Sequence, residues 1–153
     1  MIKIMFVCLG NICRSPMAEF VFKDLVNKNG LSHKFEIASS ATSTEEAGND
    51  IHYGAKRKLR ENGIPFTYHT ATKFTVADYD YYDYVIVMEQ SNIRGLLRII
   101  GEDKENKITR LKDFCDGGDI ADPWYTGNFD DTYSDIMAGC TALLKYFKDR
   151  SVI

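Results

Sequence analysis

Cysteine, histidine and proline are scarce in this chain, with four, three and three among 153 residues. Four cysteines, Cys8, Cys13, Cys115 and Cys140, are few for a disulfide scaffold of this length, so they are expected as thiols in a reducing compartment, the cytoplasm. The Cys8/Cys13 spacing suits half of a zinc site, but there is no second close Cys/His pair, and His33, His52 and His69 are scattered, so neither metal nor other cofactor is expected. Long apolar runs are also missing. Ile4 to Leu9 is far too short to cross a bilayer and follows no charged-then-apolar leader, so no membrane span is expected. Nor is there an excess of positive charge: 19 basic against 22 acidic residues leave −3, which argues against nucleic acid as a partner.

What is present is the composition of a globular protein, 44% hydrophobic and 27% charged, of a length that predicts a single domain over residues 1–153. Ile2 to Leu9 is nearly continuous in apolar residues, the pattern of a strand buried on both faces of a parallel sheet. After a turn at Gly10 and Asn11, Ser15 is placed to cap a helix and Pro16 to open it. Ala18, Val21, Phe22, Leu25 and Val26 then recur at helical spacing up to Asn29 and Gly30. A strand at Phe35 to Ser39 and a polar loop lead to a helix from about Ile51 to Asn62 and Gly63. Asp78, Asp80 and Asp83 read as a solvated connection into the buried strand Tyr84 to Met88. A helix with Ile93, Leu96, Leu97 and Ile100 on one stripe stops at Gly101, and a strand follows near Ile108 to Leu111. A long loop, about Lys112 to Asn128, precedes a last helix with Tyr133, Ile136, Met137, Cys140, Leu144 and Phe147 on one face, where Cys140 serves as a core hydrophobe. This alternation predicts an α/β three-layer sandwich around a four-stranded parallel sheet, a fold that binds ligands beyond the carboxyl ends of its strands.

The turn after the first strand reads CLGNICRSP, Cys8 to Pro16. A tight loop there turns the backbone N–H groups of Leu9, Gly10, Asn11, Ile12, Cys13, Arg14 and Ser15 inward, and the helix start adds unpaired donors, making a cradle for an anion. Gly10 is expected to supply backbone freedom, and Asn11 tolerates a left-handed conformation. Arg14 brings a planar fork that matches two phosphate oxygens at once. Such surroundings favour the thiolate of Cys8, to which Ser15 can donate a hydrogen bond. Taken singly, Cys8 reads as an inert thiol at a strand end and Ser15 as a helix cap. Together with Arg14 and the strand-to-helix setting they read as an activated nucleophile facing oxyanion donors. The long loop offers Asp113, Asp116, Asp119 and Asp122 as acids, of which only Asp122 is marked, by the backbone restriction of Pro123.

CLGNICRSP resembles the signature of the low-molecular-weight protein tyrosine phosphatases, and DPWYTG at Asp122 to Gly127 is similar to that family's acid loop. The resemblance extends over essentially the whole chain and implies a phosphotyrosine phosphatase I-like fold acting on phosphotyrosine-containing proteins, with phosphate or another oxyanion bound in the loop. It implies that Cys8 attacks phosphorus, that Arg14 and the loop amides hold the oxygens, and that Asp122 protonates the leaving group, then serves as base, without a metal. It implies further that Asn11, Ser39, His69 and Asp83 support the loop, although His69 read by itself is equally an ordinary satisfied imidazole. It also implies that Cys13 can form a disulfide with an oxidised Cys8. Trp124 and Tyr125 are suited to sandwich an aromatic ring. Ile12 stands where a Thr would suggest the related arginine phosphatases. Glu45 stands where eukaryotic members carry an aromatic residue, and with Glu46 it disfavours acidic phosphopeptides. Two rival functions use the same residues. Thioredoxin-coupled arsenate reductases share the loop but need two more resolving cysteines, and residues 80–90 contain none, leaving Cys115 alone. A non-catalytic phosphopeptide-binding module would make Cys8 and Asp122 superfluous.

Overall fold

The apolar run at the start of the chain becomes β1 (Ile2–Cys8), buried from Ile4 onward, in a computed structural model that describes residues 1–153. Its side chains alternate between two cores, as the two-residue period of a strand requires. Ile4, Phe6 and Cys8 face one layer, while Met5 and Val7 face the other. β1 pairs in parallel with β2 (Phe35–Ala41) on one side and β3 (Tyr84–Val87) on the other, and β3 pairs in parallel with β4 (Ile108–Arg110), giving the order β2-β1-β3-β4. The chain leaves β1 first to one side and later to the other, so the carboxyl end of β1 is the switch point at which such sheets open a crevice. Cys8 is the last residue of that strand.

The first layer consists of α1 (Arg14–Lys28), α2 (Tyr53–Glu61) and α6 (Phe129–Asp149). Its core includes a run of edge-to-face rings, Phe6–Phe22–Phe35–Phe147–Tyr84, with centroids 5.1 to 6.0 Å apart. Cys140 is fully buried within this core, and burial pushes its thiol up. The second layer is smaller. It consists of α3 (Val76–Tyr81) and α4 (Gln90–Ile100), which bury Phe74, Tyr79 and Leu96 against Met5, Val7, Val85 and Val87. No helix is long and apolar enough to cross a membrane.

Two segments differ from their sequence reading. The tract expected as a solvated connection is in part helical: Thr75 Oγ1 caps α3 by accepting from Asp78 N at 3.1 Å, and Asp78 Oδ2 in turn accepts from Thr75 N at 2.9 Å. That reciprocal capping box nucleates a helix whose composition alone is unfavourable. The long loop after β4 likewise holds a 3-10 turn at Leu111–Phe114 and the one-turn helix α5 (Pro123–Thr126), capped by Asp122.

Candidate active site

Residues 9–13 form the loop between β1 and α1, with Asn11 at its apex in a left-handed conformation, φ 60°. It is Asn11 and not Gly10 that takes the unusual φ. Gly10 has no positive φ, and a Cβ there would meet Glu46 Cγ at 3.4 Å, an ordinary contact. Ser15 does not cap α1. The helix begins at Arg14 with Cys13 at the cap position and no side-chain cap bond, which frees the Ser15 hydroxyl for the sulfur. Cys8 Sγ lies 3.0 Å from Ser15 Oγ and accepts from Asn11 N at 3.2 Å.

Below the loop, the polar atoms form a determined network. Thr72 N can only donate, and at 3.2 Å it identifies the facing Asn11 atom as Oδ1. His69 Nε2, 2.9 Å from the same oxygen, must therefore carry a proton. Asn11 Nδ2 then donates to Ser15 Oγ at 2.7 Å and to Ser39 Oγ at 3.1 Å. Ser39 passes its hydrogen to Glu19 Oε1 at 2.6 Å, and Lys23 Nζ holds the other oxygen of Glu19. Ser15, having accepted from Asn11, has one hydrogen to give, to Cys8 Sγ or to Ser40 O at 3.3 Å. Burial holds the His69 imidazole below its ordinary value against the pull of Glu19, which favours the neutral ring with Nε2 as donor. The structure thus brings Asn11, Ser39 and His69 together, and it adds Glu19, which the sequence reading missed.

Asp83 is not part of this network. Its carboxylate accepts from Lys3 N at 2.9 Å, at the amino end of the sheet. Lys3 is five residues from Cys8, about 16 Å along an extended strand. The acid nearest His69 in bonding terms is Asp50, whose Oδ1 accepts from His69 N at 3.0 Å.

Arg14 is 1% exposed, and its guanidinium is held on three sides. NH1 donates to Ile120 O at 2.9 Å, and NH2 donates to Glu89 Oε1 at 3.1 Å and to Asp122 Oδ2 at 3.2 Å. Glu89 stands at the cap position of α4, where its backbone N donates to Asn92 Oδ1 at 3.0 Å. It was not singled out from the sequence, yet a signal existed: it lies two residues past the carboxyl end of the strand beside β1, where ligand-facing groups of such sheets gather. Asp122 uses its other oxygen to accept from Trp124 N at 3.0 Å, which places it at the start of α5 and against Arg14 together.

A cleft of about 100 Å³ opens on this constellation, lined by all seven residues from Cys8 to Arg14 and by Glu45, Glu46, Asp122, Trp124 and Tyr125. Trp124 and Tyr125 are 59% and 77% exposed, so Trp124 is a wall residue and not a core one. Asn49 Nδ2 steadies Glu46 at 2.7 Å. Cys13 is buried, and burial together with the charges of Cys8 and Asp122 pushes its thiol up. Cys115 is exposed, bonded to Lys112 O and Asp116 Oδ1. No three His, Cys, Asp or Glu side chains gather in a way that would hold a metal ion.

Residues 3–152 match the model of a family described as low molecular weight phosphotyrosine protein phosphatase. The low molecular weight protein-tyrosine-phosphatase YfkJ of Bacillus subtilis is 42% identical over 147 residues, 94% of each chain. Its crystal structure superposes with a TM-score of 0.94, covering 98% of this chain and 96% of that one at 40% identity. The phosphatase PtpA of Staphylococcus aureus is 32% identical over 148 residues, 95% of this chain and 94% of its own. The Streptococcus pyogenes phosphatase SP-PTP gives a TM-score of 0.86 at 38% identity, covering 95% of this chain and 93% of that one.

Proposed function

Since the chain belongs to the low molecular weight phosphotyrosine protein phosphatase family and is a protein-tyrosine phosphatase, we propose that it works through a cysteinyl-phosphate on Cys8. The Cys8 sulfur attacks phosphorus in line. A sulfur–phosphorus bond forms as the bond from phosphorus to the tyrosyl oxygen breaks, and Asp122 gives its proton to that oxygen. The loop amides and the Arg14 fork bind the three equatorial oxygens, where charge is concentrated. In the second half Asp122 takes a proton from a water that attacks phosphorus. The sulfur leaves as thiolate, stabilised by the Ser15 hydroxyl and Asn11 N–H, and inorganic phosphate is released.

The Arg14–Asp122 contact supports this division of labour. A phosphoryl dianion entering the cradle competes for the guanidinium edge that Asp122 occupies. Once displaced, Asp122 is free to serve the leaving oxygen. Trp124 and Tyr125, exposed on the wall, suit an aromatic leaving group of phosphotyrosine length. The chemistry needs Cys8 as a free thiol, consistent with a reducing compartment such as the cytoplasm. Where a peroxide transfers one oxygen to the Cys8 sulfur and leaves as water, the resulting sulfenic acid is answered by Cys13, whose thiol displaces a second water to close a disulfide.

The observation that carries this reading is the convergence of the Cys8 sulfur with Ser15 Oγ at 3.0 Å and Asn11 N at 3.2 Å, in one cleft with buried Arg14 and with Asp122. The test is hydrolysis of p-nitrophenyl phosphate and of a phosphotyrosine peptide in the presence of a chelator. Cys8→Ser should abolish turnover of both, and Asp122→Ala should slow it by about a hundredfold or more. Acid quenching of Asp122→Ala during turnover of a labelled substrate should leave phosphate bound to the chain. Turnover by Cys8→Ser, or no trapped phosphate on an active Asp122→Ala enzyme, overturns the reading.

A further inference from the structure

We infer that His52, which the chemistry above does not use, is a positioning residue for aromatic substrates: its imidazole holds the Trp124 indole at the mouth of the cradle. This rests on the reading of Trp124 as a wall of the substrate site. His52 is fixed at three points. Its backbone N donates to Ile12 O at 2.8 Å, tying it to the phosphate loop. Its Nδ1 accepts from Gly54 N at 3.0 Å, which caps α2 and sets the plane of the ring. Its ring is stacked on Phe129, centroids 5.4 Å apart and planes within 17°, and on Tyr53 at 4.5 Å and 27°.

Phe129 is itself held firmly. A Cβ on Gly54 would lie 2.5 Å from Phe129 Cζ, so the phenyl ring lies directly against the α2 backbone, and its other contacts include Ile12, Cys13 and Ala71. The stack therefore continues from the phosphate loop through Phe129 to His52, and from there to Trp124, which meets His52 edge to face at 5.8 Å and 81°. Trp124 stands on a helix of one turn, more than half exposed, and His52 is the only aromatic ring in contact with it. Without that ring the indole is free to swing into solvent, and an aryl phosphate loses a preformed surface. An alkyl phosphate, which has no ring to stack, loses little.

Two substitutions separate the ring from the helix cap. His52→Asn retains a cap acceptor and removes the ring. His52→Phe retains the ring and removes the acceptor. His52→Asn should raise KM for aryl phosphates by about three- to tenfold with a smaller change in kcat, and His52→Phe should restore the parent value. Trp124 is the single tryptophan, so its emission reports the contact directly. His52→Asn should shift that emission to the red and increase quenching by acrylamide, and His52→Phe should not. If His52→Asn leaves emission and KM unmoved, or His52→Phe moves them as far, His52 only caps α2 and the proposal fails while the phosphatase reading stands. If the Trp124→Ala enzyme binds aryl phosphates as well as the parent does, the reading of Trp124 as a substrate wall fails and takes this proposal with it.

Discussion

The floor and the rim of the cleft are built on opposite terms. On the floor, Asn11, Ser15, Ser39 and Glu19 are buried and tied to one another by hydrogen bonds, and buried Arg14 is held by Ile120 O, Glu89 and Asp122, which leaves little choice of orientation. On the rim, Glu45, Trp124 and Tyr125 face solvent with few partners. A buried polar group that loses its partner has no water to replace it, whereas an exposed one does. The floor therefore tolerates almost no variation and is suited to the chemistry common to any phosphomonoester. The rim can change at small cost and is suited to choosing among substrates.

Arg14→Lys tests the contrast most severely. Lysine keeps the charge but not the planar fork, and it cannot serve Ile120 O, Glu89 and a phosphate together, so kcat/KM should fall by at least about a hundredfold. Steady-state kinetics on p-nitrophenyl phosphate measures it, and a loss under tenfold would mean that charge alone suffices. Next comes Asn11→Gly, which accepts the left-handed φ without strain but leaves Thr72 N, His69, Ser15 and Ser39 short of a partner. It should cost about 2–4 kcal/mol of stability in urea unfolding, along with activity. An unchanged midpoint would show the network to be dispensable. The smallest effect belongs to the rim. Glu45→Gln should change kcat/KM by no more than about threefold, in favour of acidic phosphopeptides over basic ones, and the difference should fade at high salt. A larger effect that persists in salt would place Glu45 in the machinery of the floor.

Glu89, Glu19 and His52 show where reading a sequence stops. Arg14 lies 75 residues from Glu89 and 106 from Ile120. Nothing in the local pattern of either segment records those contacts, because they exist only once β3 is laid beside β1. Ser15 was legible as a residue that bonds the sulfur and equally as a helix cap. The choice fell to the backbone, which starts α1 two residues earlier, at Arg14. Asp83 failed for a related reason: its role was implied by the resemblance alone, and its carboxylate is engaged by Lys3 N at the amino end of the sheet. The acidic and tyrosine-rich tract around α3 was misread because its helix is set by one reciprocal cap, and not by an apolar stripe.

The amino-acid sequence alone determined the strand buried on both faces, the helix that follows it and the tight loop between them, since these depend on periodicity and on contacts among near neighbours. It also offered Cys8 and Arg14, two of the groups proposed for the chemistry, while the third, Asp122, was picked out from its neighbours by the resemblance. Only the tertiary structure decided which carboxylates clamp the guanidinium, which hydrogen Ser15 has left to give and what supports the indole at the mouth. Those depend on the packing of segments far apart in the chain, and the desolvation that makes each contact obligatory arises only when the layers close.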